Sequence, residues 1–153
     1  MTPVEYLALF SDSIIYLSIL LIPLNMWNKD KKKLFLYGLA LALNVALVYF
    51  LKVWFAVPRP VGSLIPIPPT PSFPSMHASL GLLPAGFFFH EKKYRIYLVV
   101  YGILISYSRV LLGVHYWGDI LVGSIIGFLI PFAILKKSDF LTKKILGVKL
   151  KTK

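Results

Sequence analysis

The chain has 153 residues, of which 58% are hydrophobic and only 15% are charged, and its mean hydropathy is +0.75. Soluble domains have about 45–50% apolar and about 25% charged residues. The composition therefore excludes an ordinary water-soluble globule, a disordered chain and a nucleic-acid-binding module, although the formal net charge is +11. It predicts an integral membrane protein, because each spanning helix needs about 20 mostly apolar residues.

Apolar stretches in the chain predict an all-α integral membrane bundle of about five transmembrane helices. Strand-like alternation with period two does not recur. The third stretch is short, so we expect it to begin in the preceding loop or to be shielded by its neighbours. The predicted spans are 5–27, 34–57, 76–90, 94–113 and 116–135.

The N-terminal stretch has no Lys or Arg before Lys29. It therefore lacks the basic region of a cleavable signal peptide, and we interpret it as part of the mature protein. Asp12 lies within this stretch, and we interpret it as a helix cap or a polar packing residue, with substrate contact as the alternative.

The connections between the spans differ in character. Residues 28–33 and 90–95 are basic, and the turn 113–116 is very short. Residues 58–75 contain seven of the eleven prolines and cannot be helical throughout. We expect a transmembrane domain over 1–136.

The remaining residues, 137–153, form a predicted basic cytoplasmic tail. The segment from Lys136 onward contains seven lysines interleaved with apolar residues. This pattern is typical of a basic amphipathic helix on the inner membrane surface, held by acidic lipid. A frayed, solvated end is the alternative.

The distribution of basic residues predicts the orientation. Fourteen of the seventeen lie in 28–33, 90–95 and the tail, which a five-span chain places on one side. Lys and Arg gather in cytoplasmic loops, so that side is cytoplasmic and the N-terminus is outside, in a multi-pass protein of the cell membrane. The exceptions are Lys52, Arg59 and Arg109, at the outer ends of two spans. A charge at the bilayer centre costs at least ~2.5 kcal/mol, so these three need another explanation.

The exceptions fall in three short polar segments, 52–60, 74–77 and 108–119. On a helix, Lys52 and Arg59 would share one stripe, because they are seven residues apart. Ser75 is a predicted N-cap of the third span, where free backbone N–H groups form an anion site. His115 and Asp119 are four residues apart, so their side chains share a face.

This set of residues suits phosphoryl transfer. Three fixed cations can bind a phosphoryl group and stabilise its transition state. His115 is the predicted nucleophile, oriented by Asp119, and His77 is the predicted proton donor to the leaving group, with a phosphohistidine intermediate. One carboxylate among three cations disfavours a metal, so we expect neither a metal nor another cofactor.

The three segments resemble the signature of the phosphatidic acid phosphatase type 2 superfamily of membrane phosphatases, K-x6-R-P, P-S-G-H and S-R-x5-H-x3-D. Ten of its eleven positions match in order, over residues 52–119. The exception is Met76, which stands where the family usually has Gly. The matching residues are Lys52, Arg59, Pro60, Pro74, Ser75, His77, Ser108, Arg109, His115 and Asp119.

The resemblance implies the same roles for the catalytic residues as the chemistry: His115 is the nucleophile, Asp119 its partner and His77 the acid. Met76 still offers its backbone N–H to phosphate, but its side chain restricts φ and fills space near the headgroup. The phosphate-binding residues implied are Lys52, Arg59, Ser75 and Arg109.

We therefore predict a lipid phosphatase that acts at the extracytoplasmic face on a lipid phosphate or diphosphate. Polyprenyl diphosphate is favoured among the substrates that the resemblance implies, with phosphatidylglycerophosphate and phosphatidate as alternatives. A non-catalytic protein that binds or translocates anionic lipid is a second class, and a haloperoxidase-like oxidase is a third. The expected partners are the membrane and the lipid substrate, without nucleic acid, and the oligomeric state is left open.

Overall fold

A computed structural model describes residues 2–146, with side chains described through residue 138. Within these residues the chain forms only helices and their connections, so the predicted all-α class is confirmed. The helices begin and end within a few residues of the predicted spans, except that the last one is longer. They are α1 (Pro3–Met26), α2 (Lys31–Phe55), α3 (Met76–Phe87), α4 (Lys92–Leu111) and α5 (Trp117–Leu146).

Local sequence explains where the first three helices begin. Thr2 and Glu5 form a capping box at α1, in which each side chain accepts a hydrogen bond from the other residue's backbone N–H. Asp30 caps α2, and Ser75 caps α3 by accepting from the N–H of Ala78. The predicted N-cap role of Ser75 is thus confirmed.

The end of α2 separates two of the predicted site residues. Ala56 terminates the helix in the left-handed conformation, with φ of 46°, and Pro58 follows. A residue that precedes proline is disfavoured in a helix, so α2 cannot continue through this position. Lys52 therefore lies on α2 whereas Arg59 lies in the following loop. The expectation that they share a helical stripe was wrong.

Helix α3 is the centre of the bundle. Its 12 residues span about 18 Å at 1.5 Å per residue, less than the ~30 Å hydrocarbon core of a bilayer. Most of its side chains are buried, and it packs most extensively against α5 and then α4. Shielding by neighbours, one of the two expectations for this short span, is what the structure shows.

Two glycines of α5 allow its close approach to α3. A Cβ atom on Gly123 would collide with the carbonyl oxygen of Ser75, and one on Gly127 with that of Ser79. Small residues at this spacing let helix backbones approach each other closely in membranes. The contact brings the first turn of α3 beside the first turn of α5, where the Ser75 N–H donates to the Asp119 carbonyl at 3.0 Å.

Among the described residues, three helical segments are long and apolar enough to cross a membrane by length and composition: α1, α2 and residues Trp117–Ser138. These apolar helices indicate a membrane protein. The count of five transmembrane helices stays a prediction. The backbone of α5 continues to Leu146. The predicted amphipathic pattern of the tail lies largely outside the described residues, because side chains beyond residue 138 and all of 147–153 are not described.

The end of the bundle where α2 begins contains an apolar cluster. Met26, Tyr37, Leu83 and Phe87 are buried together, and the rings of Tyr37 and Phe87 meet edge to face at 5.1 Å. This cluster packs α1, α2 and α3 together at the end opposite to the polar segments. The buried polar residues of the three segments lie at the other end.

Candidate active site

The three polar segments meet at one end of the bundle, where α2 and α4 end and where α3 and α5 begin. Backbone hydrogen bonds join their loops: the Leu64 N–H donates to the Leu112 carbonyl at 3.0 Å, and the Ser72 N–H to the Val57 carbonyl at 2.8 Å. The proline-rich loop therefore folds back over the helix ends. All eight predicted site residues lie at this end.

His115 and Asp119 form a buried pair. His115 Nδ1 lies 3.1 Å from Asp119 Oδ2, and the same oxygen accepts the backbone N–H of Tyr116 at 2.9 Å. An ionised carboxylate only accepts hydrogen bonds, so it holds the proton of the imidazole on Nδ1. The other ring nitrogen, Nε2, then carries a free electron pair. It lies 3.3 Å from Nη1 of Arg59.

Arg59 is fixed at the site by backbone carbonyl groups. Its Nε donates to the Thr70 carbonyl at 2.8 Å, and its Nη1 donates to the Val114 carbonyl at 3.0 Å. Both loops at this end of the bundle thus hold the guanidinium in place. Its Nη2 lies 3.2 Å from the Thr70 hydroxyl and 3.5 Å from the Pro71 carbonyl, so an anion that binds the guanidinium would replace the longest of these contacts.

Lys52 is buried near the same loop. Its side-chain nitrogen donates to the carbonyl groups of Pro71, at 2.7 Å, and Ser72, at 3.1 Å. The Ser72 hydroxyl in turn donates to the Pro58 carbonyl at 3.1 Å. These contacts tie the end of α2 to the proline-rich loop and leave one N–H of the ammonium group for another acceptor.

The first turn of α3 adds backbone donors to the site. The first N–H groups of a helix have no partner within the helix, and the helix dipole makes this end attractive to anions. Ser75 is fully buried, and Met76 and His77 follow it as partly buried residues. The side chain of Met76 occupies a position where the resembled signature has none.

A second polar cluster contains Asp12, His77 and Arg109. Asp12 Oδ1 lies 3.0 Å from His77 Nε2 and 3.0 Å from Arg109 Nη2. Arg109 is 3% exposed and also donates to the hydroxyl of Ser11. Helix α1 thereby contributes directly to this end of the bundle.

The contacts of Asp12 were missed by the sequence analysis. Asp12 lies in the interior of α1, so the helix cap in its interpretation was wrong, whereas the polar packing role matches its contacts with His77 and Arg109. The signal was present in the sequence, because an ionisable residue inside an apolar span is a candidate functional residue by default.

The electrostatics of the site favour a neutral His115. Burial lowers the pKa of this imidazole well below its ordinary value, and the positive charges of Arg59 and Lys52 lower it further. An unprotonated imidazole is the form that can act as a nucleophile. His77 and Arg109 add to the same effect, so the two polar clusters influence each other.

The helical membrane bundle and its cationic site with two histidines define the class of protein, a membrane phosphatase. The chain belongs to the PAP2 superfamily, whose sequence profile matches residues 33–143. This confirms the predicted family, and it confirms the prediction that the protein is an enzyme that hydrolyses phosphoric esters. The roles of the individual site residues stay predictions.

The chain is similar to several known proteins. It is 31% identical over 131 residues to the undecaprenyl-diphosphatase BcrC of Bacillus subtilis (strain 168), an alignment that covers 79% of this chain and 68% of the relative. Its structure resembles that of Aquifex aeolicus LpxE, with a TM-score of 0.74, 28% identity and coverage of 89% and 88%. It also resembles a transmembrane PAP2-type phosphatidylglycerolphosphate phosphatase from Bacillus subtilis, with a TM-score of 0.77, 24% identity and coverage of 92% and 80%. The last likeness shows the fold alone.

Proposed function

We propose that this PAP2 protein is a lipid phosphatase that hydrolyses a lipid phosphate or diphosphate at the extracytoplasmic face of the cell membrane. A polyprenyl diphosphate is the favoured substrate, which is supported by the similarity to an undecaprenyl-diphosphatase. Phosphatidylglycerophosphate and phosphatidate are the alternatives. The site at one end of an apolar bundle suits a substrate whose headgroup lies at the membrane surface.

The proposed topology has five transmembrane helices with the N-terminus outside. The basic residues of 28–33 and 90–95 are exposed at the end opposite to the site, as expected of cytoplasmic loops. Exposed aromatic side chains lie near both ends, among them Trp54 and Trp117 at the site end and Trp27 at the other. In this arrangement 1–136 is the catalytic transmembrane domain and 137–153 is the cytoplasmic tail.

The observation that carries the proposal is the position of His115 between Asp119 and Arg59. A phosphoryl group bound to the guanidinium of Arg59 would lie beside the free electron pair of Nε2. Nε2 attacks phosphorus, the bond from phosphorus to the leaving oxygen breaks, and a phosphohistidine forms. Asp119 stabilises the positive charge that develops on the imidazole.

His77 completes the proposed reaction as general acid and then as general base. It gives a proton to the leaving oxygen in the first step. In the second step it removes a proton from the water that attacks the phosphohistidine, which releases phosphate and restores His115. Lys52, Arg59, Arg109, Ser75 and the backbone N–H of Met76 are the proposed phosphate ligands.

The test is phosphate release by the purified protein from a panel of lipid phosphates in detergent. The panel contains a polyprenyl diphosphate, phosphatidylglycerophosphate and phosphatidate, each with and without EDTA. We expect turnover in EDTA, highest with the polyprenyl diphosphate. No release from any of them would favour the second class, a protein that only binds or translocates anionic lipid. Turnover lost in EDTA would contradict the metal-independent mechanism.

The nucleophile is tested with two histidine variants. His115→Ala should lose turnover entirely while remaining folded, and His90→Ala is the matched control, because His90 is exposed near the opposite end. Substrate with a labelled terminal phosphate should leave acid-labile, alkali-stable label on the wild type after rapid denaturation, and none on His115→Ala. Wild-type turnover by His115→Ala would contradict the assignment.

The topology is tested by cysteine labelling, since the chain has no cysteine of its own. A single cysteine in place of Ser63 should react with an impermeant thiol reagent added to intact cells, whereas one in place of Lys31 should react only after permeabilisation. The reverse pattern would place the site on the cytoplasmic side.

A chain that ends at residue 136 should keep its activity if the tail is a separate segment.

A further inference from the structure

Asp12 connects two of the proposed site residues through one oxygen atom. Its Oδ1 lies 3.0 Å from Nε2 of His77 and 3.0 Å from Nη2 of Arg109. Helix α1 precedes residues 33–143, so this carboxylate is not part of the matched family profile. It brings a fifth helix to a site that the motif residues build from α2–α5 and their loops.

Several contacts fix the rotation of α1 so that Asp12 faces the site. Ser11 accepts a hydrogen bond from Arg109. Two turns further along α1, the hydroxyl of Ser18 accepts one from Tyr101 of α4 at 3.0 Å. Ser11 is buried, whereas the Asp12 side chain is 41% exposed. Asp12 thus lies at the surface of the bundle, beside His77 and Arg109, rather than enclosed in the packing between helices.

The direction of the His77 ring follows from this contact. An ionised Asp12 can only accept, so it holds a proton on Nε2 of His77. The other nitrogen, Nδ1, is then the one that can exchange a proton with substrate. This is the arrangement at His115 with the two ring nitrogens exchanged, since Asp119 holds Nδ1 there and leaves Nε2 free.

We propose that Asp12 is a positioning residue for His77: it accepts the Nε2 hydrogen, directs Nδ1 towards the leaving oxygen and stabilises the protonated imidazole. This inference rests on the proposed function, in which His77 is the general acid. Asp12 itself touches neither the substrate nor the reacting atoms. Each histidine of the site then has its own carboxylate.

The second contact of Asp12 gives the proposal a distinctive kinetic signature. Arg109 is a proposed phosphate ligand, and Asp12 partly neutralises it in the free enzyme. Removing the carboxylate should weaken proton donation and at the same time leave Arg109 more available to phosphate. We therefore expect a lower kcat together with a lower KM, whereas a smaller folded fraction would lower the apparent kcat and leave KM unchanged.

The test uses Asp12→Asn, with Asp30→Asn as the matched control. Asp30 loses the same charge at the opposite end of the bundle, and Asn is an equally good N-cap for α2. General acid catalysis contributes about 10²–10⁴-fold, and we expect loss of its positioning to lower kcat by about 10–100-fold on the best substrate of the lipid panel. Asp12→Glu should recover part of this loss, and Asp30→Asn should match the wild type.

A double-mutant cycle shows whether Asp12 acts through His77. In a His77→Asn background, adding Asp12→Asn should cause less than about a twofold further loss, because interacting residues are not additive. A full additional loss would assign Asp12 a separate structural role and overturn the proposal. An unchanged kcat with a lower KM would also overturn it, because Asp12 would then only compete with phosphate for Arg109.

A comparison of two leaving groups gives a ratio of rates that does not depend on the fraction of protein that is folded. Dodecyl phosphate releases an alkoxide that needs a proton, whereas 4-nitrophenyl phosphate releases a phenolate that does not. The ratio of the two rates is measured in one preparation, and Asp12→Asn should lower it at least tenfold. An unchanged ratio would overturn the proposal, while a wild type inactive on every phosphate would instead contradict the proposed function.

Discussion

The two ends of the bundle are both rich in basic residues, but those residues are in opposite environments. At the site end, Lys52 and Arg109 are 5% and 3% exposed. At the other end the described lysines and arginines are exposed, and the ion pair between Lys33 and Glu91, at 3.6 Å, is open to solvent. Such exposed pairs contribute about 0–1 kcal/mol. The same residue types are thus exposed at one end and buried against carbonyl and carboxylate oxygens at the other.

The difference in burial between the two ends raises the question of how the buried cations are stabilised. A buried charge is costly unless it is paired and hydrogen-bonded. The carbonyl groups of the proline-rich loop hold Lys52 and Arg59, and Asp12 pairs with Arg109. Two carboxylates contact the site, those of Asp12 and Asp119, whereas its cations are three, Lys52, Arg59 and Arg109. A dianionic phosphoryl group, the proposed ligand, would supply the missing negative charge at this end.

The largest effect on activity in this comparison is expected from a charge-conserving change at the site end, with the same change at the other end as its control. Arg59→Lys keeps the positive charge but loses the planar group that contacts two carbonyls and faces His115. One lost transition-state donor costs about 10²–10³-fold, so kcat/KM should fall by about 100-fold. Arg95→Lys at the opposite end is the matched control and should stay within about twofold, because surface changes have small effects. Equal effects of the two variants would remove the functional distinction between the ends.

A second prediction concerns the helix contact that holds the site end together. A Cβ at Gly127 would meet the carbonyl of Ser79, so Gly127→Ala should force α5 away from α3. We expect a loss of about 1–3 kcal/mol in stability, typical of overpacking, and a lower melting temperature in detergent. Gly38→Ala on α2 is the control, since a Cβ there meets nothing within 4 Å and should be neutral or stabilising. An unchanged melting temperature for Gly127→Ala would show that the two helices need not approach so closely.

Much of the fold and most of the site could be predicted because their signals are local. Apolar runs between basic segments gave the five helices, and Ser75 preceded its helix as an N-cap does. The break in α2 was also readable, because Pro58 disfavours a helix at the residue before it. Treating Lys52 and Arg59 as helical neighbours overlooked this signal.

The role of α1 could not be derived in the same way. Asp12 and His77 are 65 residues apart, and most of α1 is exposed on the outside of the bundle. A helix that is apolar all round does not reveal which face packs inward. The contact depends on how α1 rotates against α3 and α4, which is a property of packing between helices rather than of the local sequence. The one sequence signal for a contact at Asp12 was the presence of an acidic residue in an apolar span.

The smallest expected effect is electrostatic and concerns the protonation of His115. An unperturbed histidine has a pKa of about 6.5, so it gains a proton between about pH 8 and pH 5. Burial and the cations around His115 lower its pKa, so its NMR signal should not titrate in that range. In Arg59→Gln one of those cations is absent, so the pKa of His115 should rise towards the ordinary value. A His115 signal that titrates normally in the wild type would show that neither burial nor the neighbouring cations lower the pKa of this imidazole.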